Sequence, residues 1–424
     1  MKVLHVSALD MGGAATAAIR LHKGLLKAGI DSAFLTLRNC NRNIPNKYIY
    51  EPRPEEISLL KVLKKTLRVR LGMESPHSFY DAQDLAIKGE PTGAGFSFPE
   101  TLEDITLHPA YKSAHLIHLH WVAGWLDYPS FFAKNTKPVV WTLHDLNPFS
   151  GGLHYALGTS ITEMQMGHLI DNPQDRLQQA HNRNLTVKQQ SLQDFRSLAV
   201  VSPSVWLQKQ SAESLLFSRY ENHHIPNGLD TELFKPYDRS VVRGLLGLAD
   251  KKTLLFIADA IDSPLKGFRF FRDALLHVQN MCDYQLLVVG LDKSNALAGF
   301  NNVHHMGYVQ DERLMAMIYN AADAFVLPSL MDNFPNTMLE SIACGTPVIA
   351  FPTGGIPEAI RHGENGLICE KADAANLGSL LEAFYRGQWQ FDREHIAEQA
   401  AKTYEDRTIT TAYRKVYHAV MATV

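Results

Sequence analysis

The sequence predicts an α/β protein made of two parallel-sheet domains. At 424 residues the chain is longer than one ordinary hydrophobic core supports, so two domains are expected. In each half, short apolar and β-branched runs alternate with helical segments, an order that is typical of βαβ units. Two halves of this kind imply a cleft between them in which a ligand can bind.

Composition narrows the class of protein. The hydrophobic fraction of 46% and the charged fraction of 20% are typical of a globular protein, and the net charge of −3 argues against nucleic acid as a partner. The four cysteines have no metal-type spacing and suit a reducing compartment. The chain opens on a strand-like run without a signal peptide, and no apolar run reaches the length of a membrane span, so a cytoplasmic location is expected.

The first half supplies the first predicted sheet. Strands are predicted at 2–9, 32–37, 114–121, 137–143 and 198–202, and helices at 14–28, 160–197 and 205–214. Gly12 and Gly13 stand where the first strand meets the first helix, and they permit either close approach of the backbone to an anion or only a tight turn. No G-x-G-x-x-G run is present, which disfavours a nicotinamide oxidoreductase.

Histidines stand in and after two of these strands. His118 and His120 alternate with apolar residues, so both side chains are expected to point the same way. His118 is interpreted as a structural residue. His120 and His144 lie at strand ends, the edge where open α/β sheets bind ligands, and a functional role is favoured for both. The spacing of His, Asp and Glu does not predict a metal site.

Residues 59–71 read LLKVLKKTLRVRL and predict a basic amphipathic helix. Such a helix either makes a peripheral contact with an anionic membrane surface or presents an ordinary solvated basic face. Residues 72–98, rich in Gly, Pro and Ser, predict an irregular excursion.

The second half restarts the same order of elements. The turn-rich segment 223–236 places a domain boundary at 226/227. Strands are predicted at 253–258, 284–290, 303–307, 324–327, 347–351 and 366–369, and helices at 268–279, 311–321, 336–344 and 356–362. From residue 374 onwards the chain is predicted to be largely helical.

Residues 327–358 bring carboxylates, a helix start and a Gly-Gly loop to one edge of the second sheet. A diphosphate needs positive charge and amide donors, which Lys266 and the helix start at Asn336 can supply, with Thr337 adding a hydroxyl. Glu340 suits a ribose diol, although helix capping is an alternative role. Asp332 alone would be an ordinary loop acid. The set as a whole predicts a sugar-nucleotide site.

The run 328–358 closely resembles the donor-site signature of family 4 glycosyltransferases, retaining enzymes of GT-B fold. Asp332 and Glu340 are separated by seven residues, and the GTPV run at 345–348 and the GGIPE run at 354–358 follow them. Lys266-Gly267, the IPNGLD run at 225–230 and Gly12-Gly13 match further family positions in order. The runs IHLHW at 117–121 and WTLHD to FSGGLHY at 141–155 resemble the branch that makes exopolysaccharides of the colanic-acid type.

This resemblance implies two Rossmann-like domains facing across a cleft. Residues 1–226 would form an acceptor-binding domain, on which a C-terminal helix at about 408–424 packs back, and residues 227–407 would bind the nucleotide sugar. The implied reaction transfers a sugar, with retention, from a nucleotide diphosphate-sugar to a glycan or lipid-linked hydroxyl acceptor. The nucleotide sugar is the co-substrate, and no cofactor is expected.

The resemblance also implies roles for individual residues. Lys266 would bind the diphosphate, Glu340 the ribose, and His144 would face the donor sugar. These three and Asp332 are the predicted catalytic residues. The remaining predicted donor-binding positions are Gly12, Gly13, Asn333, Phe334, Pro335, Asn336 and Thr337.

Two positions depart from the family pattern. Ala260 stands where the family usually has an arginine, and Asp332 stands where it usually has glutamate. Losing the arginine removes a bidentate phosphate clamp, for which Arg269 or Arg272 could substitute. Two alternatives therefore remain: a GT-B enzyme acting on a soluble small-molecule acceptor, and a non-catalytic GT-B protein that binds sugar.

Overall fold

The computed structural model describes residues 1–40, 43–51, 95–155, 176–278 and 284–422, with the isolated residues 63, 66, 67 and 70. Apart from those four positions, the predicted basic helix at 59–71 and its membrane contact lie outside the described residues. The chain divides into two compact units, one of residues 1–226 with 410–424 and one of residues 227–409.

The first unit is built around a seven-stranded sheet. Its strands are β1 (Lys2–Ser7), β2 (Asp31–Thr36), β3 (Lys47–Ile49), β4 (Leu116–Leu119), β5 (Val139–Thr142), β6 (Leu198–Ser202) and β7 (Glu221–His224). They pair in the order β3-β2-β1-β4-β5-β6-β7, and every pair is parallel. The described helices are α1 (Gly12–Lys27), α2 (Pro109–Ser113), α3 (Tyr128–Lys134), α4 (Arg176–Leu192) and α5 (Val205–Ala212).

The second unit holds a six-stranded sheet. Its strands are β8 (Lys252–Ala260), β9 (Tyr284–Leu291), β10 (Val303–His305), β11 (Ala324–Leu327), β12 (Val348–Ala350) and β13 (Gly366–Ile368). They pair in parallel in the order β10-β9-β8-β11-β12-β13. Its helices are α6 (Arg239–Leu245), α7 (Phe268–Leu275), α8 (Glu312–Ala321), α9 (Asn336–Ala343), α10 (Ile356–Ala359), α11 (Ala374–Tyr385) and α12 (Arg393–Tyr404).

The last helix, α13 (Asp406–Met421), begins in the second unit and ends in the first. Three short 3-10 turns complete the described elements, at Ile105–Leu107, Asn147–Phe149 and Pro264–Lys266. Among the described residues, no helix is both long and apolar enough to cross a bilayer.

Both sheets are covered on two faces, which explains why their strands are continuous apolar runs. In β8, Leu254 and Leu255 are both fully buried, but they belong to separate hydrophobic clusters on opposite faces of the sheet. In β1 the alternation places Leu4 in the larger core of the first unit, while His5 lies on the face that also carries Phe34. The prediction of two parallel-sheet α/β units is confirmed.

The differences from the predicted elements are local. The edge strand β3 and the partly exposed β7 were not predicted, because edge strands need no apolar run and the sequence of β7, ENHH, is polar. The helix predicted at 268–279 ends at Leu275. Helix α1 begins two residues earlier than predicted, at Gly12, whose φ of +84° lies in the left-handed region that glycine tolerates.

Candidate functional site

In both sheets the strand order reverses once, between β1 and β4 in the first unit and between β8 and β11 in the second. Open α/β sheets bind ligands at the carboxyl ends of the strands at such a switch point. In the first unit the segments that follow β1 and β4 carry Gly12, Gly13 and His120. In the second unit the segments that follow β8 and β11 carry Lys266 and residues 329–335.

The turn that carries Lys266 is packed directly on the segment after β11. The Leu330 N–H donates to the Leu265 carbonyl at 2.8 Å. Gly267 follows with a φ of +72°, and a Cβ at that position would lie 1.9 Å from the Pro328 carbonyl oxygen. The glycine of the Lys-Gly pair noted in the sequence is therefore required by backbone geometry, because only glycine permits this approach.

Lys266 and Asp332 meet as an ion pair. Lys266 Nζ donates to Asp332 Oδ2 at 2.7 Å, and the side chains are 33% and 16% exposed. Burial alone would lower the pKa of Lys266, but the charge and hydrogen bond of Asp332, with the charge of Asp259 adding to them, raise it instead. The ammonium is therefore firmly charged at neutral pH, as a phosphate-binding group must be.

Helix α9 begins beside this pair. Pro335 occupies the N-cap and offers no side-chain cap, so the positive end of the helix dipole is not neutralised from that position. The Asn227 amide of the IPNGLD run donates to the Asn336 side-chain oxygen at 3.0 Å and to the Phe334 carbonyl at 3.2 Å. Asn227 thus holds the segment that leads into the helix. The sequence did not indicate this role, because Asn227 lies 107 residues before Phe334.

Glu340 lies one turn inside α9 and is buried at 6% exposure. The hydroxyl of Tyr319, on α8, donates to Glu340 Oε2 at 2.7 Å. This contact fixes the carboxylate in position, which is what bidentate recognition of a diol requires. No signal in the sequence linked Tyr319 to Glu340.

The remaining predicted donor-binding positions line the same segment. Asn333, Phe334 and Asn336 are buried, whereas Thr337 is partly exposed. Gly355 N–H donates to the Asn333 carbonyl at 2.8 Å, and Gly354, with a φ of +54°, packs against the Asp332 carbonyl. The Gly-Gly loop therefore buttresses the segment that carries Asp332.

Gly354→Ala is expected to destabilise the second unit by about 2–4 kcal/mol. The new Cβ would lie 1.9 Å from the Asp332 carbonyl oxygen, so a backbone clash adds to the strain of a left-handed residue. Gly387→Ala is the matched control, because its φ is +71° and nothing lies within 4 Å of the added Cβ. Urea unfolding should show a clearly smaller loss for the control, and equal losses would contradict the packing role.

The two candidate substitutes for the missing arginine make other contacts. Arg272 pairs with Asp273 at 3.1 Å, and the Arg269 guanidinium lies over the ring of Phe270. Ala260 itself ends β8 just after a register shift against β9. That Arg269 or Arg272 replaces the arginine that is absent at position 260 stays a prediction.

At the edge of the first sheet, the buried Asp10 connects the loop that precedes α1 to the segment between β2 and β3. Its carboxylate accepts the Cys40 N–H at 2.8 Å and pairs with Lys47 Nζ at 3.3 Å. Gly12 is partly exposed and Gly13 exposed at the start of α1. Both glycines therefore present backbone at the helix start, which is the geometry that their predicted role needs.

A histidine cluster fills one face of the first sheet. The rings of His118 and His120 stack with centroids 4.1 Å apart, which confirms that both point the same way. His5 is the register partner of His118 on β1, and its Nδ1 lies 2.9 Å from His120 Nε2. Because His5 and His118 are more than a hundred residues apart, only the register of the parallel strands reveals this contact.

His118 is held by hydroxyl groups. Its Nδ1 contacts the Tyr417 hydroxyl and its Nε2 the Thr142 hydroxyl, each at 2.8 Å. The Tyr413 hydroxyl is also 2.8 Å from that of Thr142. Tyr413 and Tyr417 belong to the part of α13 that packs within the first unit. The structural interpretation of His118 is confirmed.

The fold groups nitrogen atoms in a way that the sequence spacing did not indicate. One ring nitrogen from each of His5, His118 and His120 lies within 4.8 Å of the others, close enough for a metal site. Hydrogen-bond contacts already engage His5 Nδ1, His120 Nε2 and both ring nitrogens of His118. We therefore describe the group as a hydrogen-bonded cluster, and the expectation of no metal stays a prediction.

His144 follows β5 and continues the cluster. Its Nε2 lies 3.4 Å from His120 Nδ1, and the two rings stack. Burial lowers the pKa of His144 to about 4, against an opposing effect of the Asp145 charge. The ring is therefore neutral at pH 7.

Asp145 anchors the loop that carries His144. Burial alone would raise the pKa of Asp145, but His154 and hydrogen bonds from the Asn147 N–H and the Trp121 indole hold it below its usual range. Its carboxylate is 2.6 Å from His154 Nδ1, and His154 Nε2 is 2.9 Å from the Ser97 hydroxyl. Ser97 is 1% exposed, so this Ser-His-Asp arrangement is a structural clamp rather than a nucleophilic triad.

Lys188 clamps the same loop from α4. Its Nζ donates to the carbonyls of Asn147 and Ser150, the latter at 3.0 Å. Burial lowers the pKa of Lys188 to about 7, opposed by the charge of Asp145. Gly151 allows this loop to lie close to α4, because a Cβ at position 151 would lie 2.2 Å from the His181 carbonyl oxygen. Packing therefore accounts for Gly151 and His154 of the FSGGLHY run.

Part of the second unit is similar to known glycosyltransferases. Residues 251–386 match a family model described as glycosyl transferases group 1. A D-inositol 3-phosphate glycosyltransferase from Mycobacterium sp. (strain KMS) is 30% identical over 169 residues, which are 37% of this chain and 37% of that protein. The matched part thus spans well under half the length of this relative.

Two solved structures are similar over the whole chain. Sucrose-phosphate synthase from Thermosynechococcus elongatus is 18% identical with a TM-score of 0.66, and each chain is fully covered. Anabaena HepE, solved with UDP and glucose, is 18% identical with a TM-score of 0.68, over 99% of this chain and 100% of that one. At these identities the likeness shows the fold, and the predicted GT-B fold of two Rossmann-like units is confirmed.

Proposed function

We propose that this protein transfers a sugar from a nucleotide diphosphate-sugar to a hydroxyl acceptor. The observation that carries the proposal is the ion pair of Lys266 and Asp332 at the switch point of the second sheet, beside the start of α9. A charged ammonium and a helix N-terminus together suit a diphosphate. The match of residues 251–386 to glycosyl transferases group 1 supports the same reading.

The second unit would bind the donor. The ammonium of Lys266 would neutralise the diphosphate, either by breaking its ion pair with Asp332 or by contacting both groups. Glu340, held by Tyr319, would accept hydrogen bonds from the ribose diol. Asp332 and the backbone of residues 333–336 would hold the sugar. HepE, a structural neighbour, was solved with UDP and glucose, which supports a nucleotide-sugar donor.

The chemistry would proceed with retention at the anomeric carbon and without a resident cofactor. Neither Lys266 nor the buried Glu340 is placed as an obvious nucleophile, so the proposal is a front-face attack in which the leaving phosphate helps to deprotonate the acceptor. The protein then contributes position and charge, through Lys266 and the start of α9. NMR of the product's anomeric proton tests retention directly, and an inverted product would rule this course out.

A panel of UDP-, GDP- and ADP-sugars identifies the donor. A ligand at about 100 times its Kd stabilises the folded state by about 2.7 kcal/mol, so the correct donor should raise the melting temperature measurably. The bare sugars are the control, because they lack the diphosphate and the ribose. If no nucleotide sugar stabilises the protein, the proposed donor site is wrong.

Two classes of acceptor are proposed. The runs at 117–121 and 141–155 favour a growing exopolysaccharide or other cell-surface glycan, whereas the matched D-inositol 3-phosphate glycosyltransferase favours a soluble small molecule. Transfer of labelled sugar to inositol phosphates or to lipid-linked saccharides in vesicles separates them. Salt-sensitive vesicle binding that is lost on deleting residues 59–71 would favour the lipid-linked class.

A non-catalytic sugar-binding protein is the third candidate, favoured by Ala260. It predicts nucleotide-sugar binding without release of nucleotide, whether or not an acceptor is present. If the native chain releases nucleotide slowly and Ala260→Arg releases it faster, the protein is instead a functioning transferase with a weakened phosphate clamp.

A further inference from the structure

The imidazoles of His5, His120 and His144 form a hydrogen-bonded chain of rings that ends at His144, one of the predicted catalytic residues. His5 Nδ1 lies 2.9 Å from His120 Nε2, and His120 Nδ1 lies 3.4 Å from His144 Nε2. The three residues come from β1, from the end of β4 and from the end of β5. The chain therefore connects the interior of the first sheet to its carboxyl edge.

All three rings are neutral at pH 7. Burial, followed by the charges of neighbouring histidines, lowers the pKa of His5 and of His120 well below the usual value, and burial lowers that of His144 to about 4. A neutral imidazole carries one proton, so one ring nitrogen donates and the other accepts. In a chain of such rings, the tautomer of each ring dictates the tautomer of the next.

The buried end of the chain decides its direction. His5 is fully buried, and its Nε2 has no hydrogen-bond partner among the residues that the structure describes. If His5 carried its proton on Nε2, a buried N–H would lack an acceptor. Orphaned buried N–H groups are rare, and acceptors without a partner are tolerated more readily. His5 therefore carries its proton on Nδ1 and donates it to His120 Nε2.

The remaining protons follow. His120 accepts at Nε2, so its own proton is on Nδ1 and is donated to His144 Nε2. His144 must then carry its proton on Nδ1. We propose that His5 and His120 are positioning residues that hold His144 in the Nδ1–H tautomer. His118 supports this arrangement by stacking on His120 while the hydroxyls of Tyr417 and Thr142 occupy its own nitrogens.

The consequence concerns the chemistry of His144. With Nε2 engaged as an acceptor, any hydrogen bond that the ring of His144 donates must come from Nδ1. A neutral donor of fixed direction positions a sugar or acceptor hydroxyl without adding charge. Its importance for turnover rests on the proposed function together with the role that the family resemblance implies for His144, which is to face the donor sugar, whereas the tautomer itself is a property of the unliganded protein.

Two-bond ¹H–¹⁵N correlation spectra of the full chain at neutral pH, recorded without any nucleotide, test the proposal. They distinguish protonated from unprotonated ring nitrogens. We expect His144 to show an unprotonated Nε2 in the native chain and a mixture of both tautomers in His5→Leu. His5→Asn should restore the native pattern, because its amide nitrogen can replace Nδ1 as a donor.

His22→Leu is the matched control. His22 is a buried neighbour of His5, but its nitrogens contact Ser32 and the Pro45 carbonyl, so it lies outside the chain. An Nε2-protonated His144 in the native chain, or an unchanged His144 in folded His5→Leu, would overturn the proposal. Metal analysis that finds about one zinc ion bound per native chain, and none bound to His5→Leu, would also overturn the proposal. Failure to bind any nucleotide sugar would instead refute the proposed function and leave the tautomer result standing.

Discussion

Lys266→Ala is expected to lower kcat/KM for sugar transfer by about 10²- to 10³-fold while the second unit stays folded, the usual effect of removing one group that stabilises developing charge. The turn at Pro264–Lys266 places the ammonium at the switch point, and Ala260 leaves no arginine six residues earlier. The substitution also leaves the Asp332 carboxylate without its ammonium partner, so attraction of a diphosphate gives way to repulsion.

Calorimetry with a nucleoside diphosphate and with the bare nucleoside isolates the phosphate contribution. The variant should lose affinity for the diphosphate and keep its weaker affinity for the nucleoside. Lys402→Ala is a matched control, because it breaks a lysine–carboxylate pair at 2.8 Å on α12 of the same unit. Turnover close to that of the native chain, or an equal loss of affinity for both ligands, would contradict the assigned role.

The second unit's site could be predicted because its parts are close in sequence. Asp332, Glu340 and the Gly-Gly loop fall within about thirty residues, and each follows a strand that the hydrophobic pattern predicts. The structure adds what the pattern could not contain. Tyr319 and Asn227 reach the site from other elements, and their hydrogen bonds depend on packing rather than on spacing.

The first unit's polar edge was predictable only in part. His120 and His144 stand at strand ends and were visible as candidates. His5 lies inside an apolar strand, and its partners are more than a hundred residues away, so only the register of β1 against β4 brings it to His118 and His120. Lys188 was hidden for a different reason, because a lysine on a polar helix is expected to face solvent.

Acidification to about pH 5.5 is expected to remove several kcal/mol from the free energy of unfolding of the first unit. Burial lowers the pKa of its clustered histidines, to about 4 for His144, whereas an unfolded imidazole has a pKa of 6.5. The others are His5, His22, His118 and His120.

The unfolded chain therefore binds more protons than the folded one at pH values below about 6.5. The stability is fully present above that pH and is lost as the pH falls toward 4. A histidine with a folded pKa of about 4, such as His144, costs about 1.4 kcal/mol at pH 5.5, and the other four, whose pKa values burial also lowers, add to this loss. Two other buried groups titrate in the folded state. Lys188, with its pKa lowered to about 7, adds a further loss in the upper part of the range from pH 7.5 to pH 5.5, and Asp145, with its pKa held low, adds to the loss only below that range.

Tryptophan fluorescence can follow this loss in the unit concerned, because four of the five tryptophans, at 121, 125, 141 and 206, belong to the first unit. Urea unfolding at a series of pH values from about 7.5 to 5.5 should show a steep fall in stability. His5→Leu removes one titrating group and should reduce the total fall between pH 7.5 and pH 5.5 by about 1.4 kcal/mol, most of it near the acidic end of the series. His277→Gln, exposed on the second unit, should leave it unchanged. A slope that His5→Leu does not alter would mean that these rings take up protons without unfolding, and the cluster would then be open to solvent rather than a neutral, closed core.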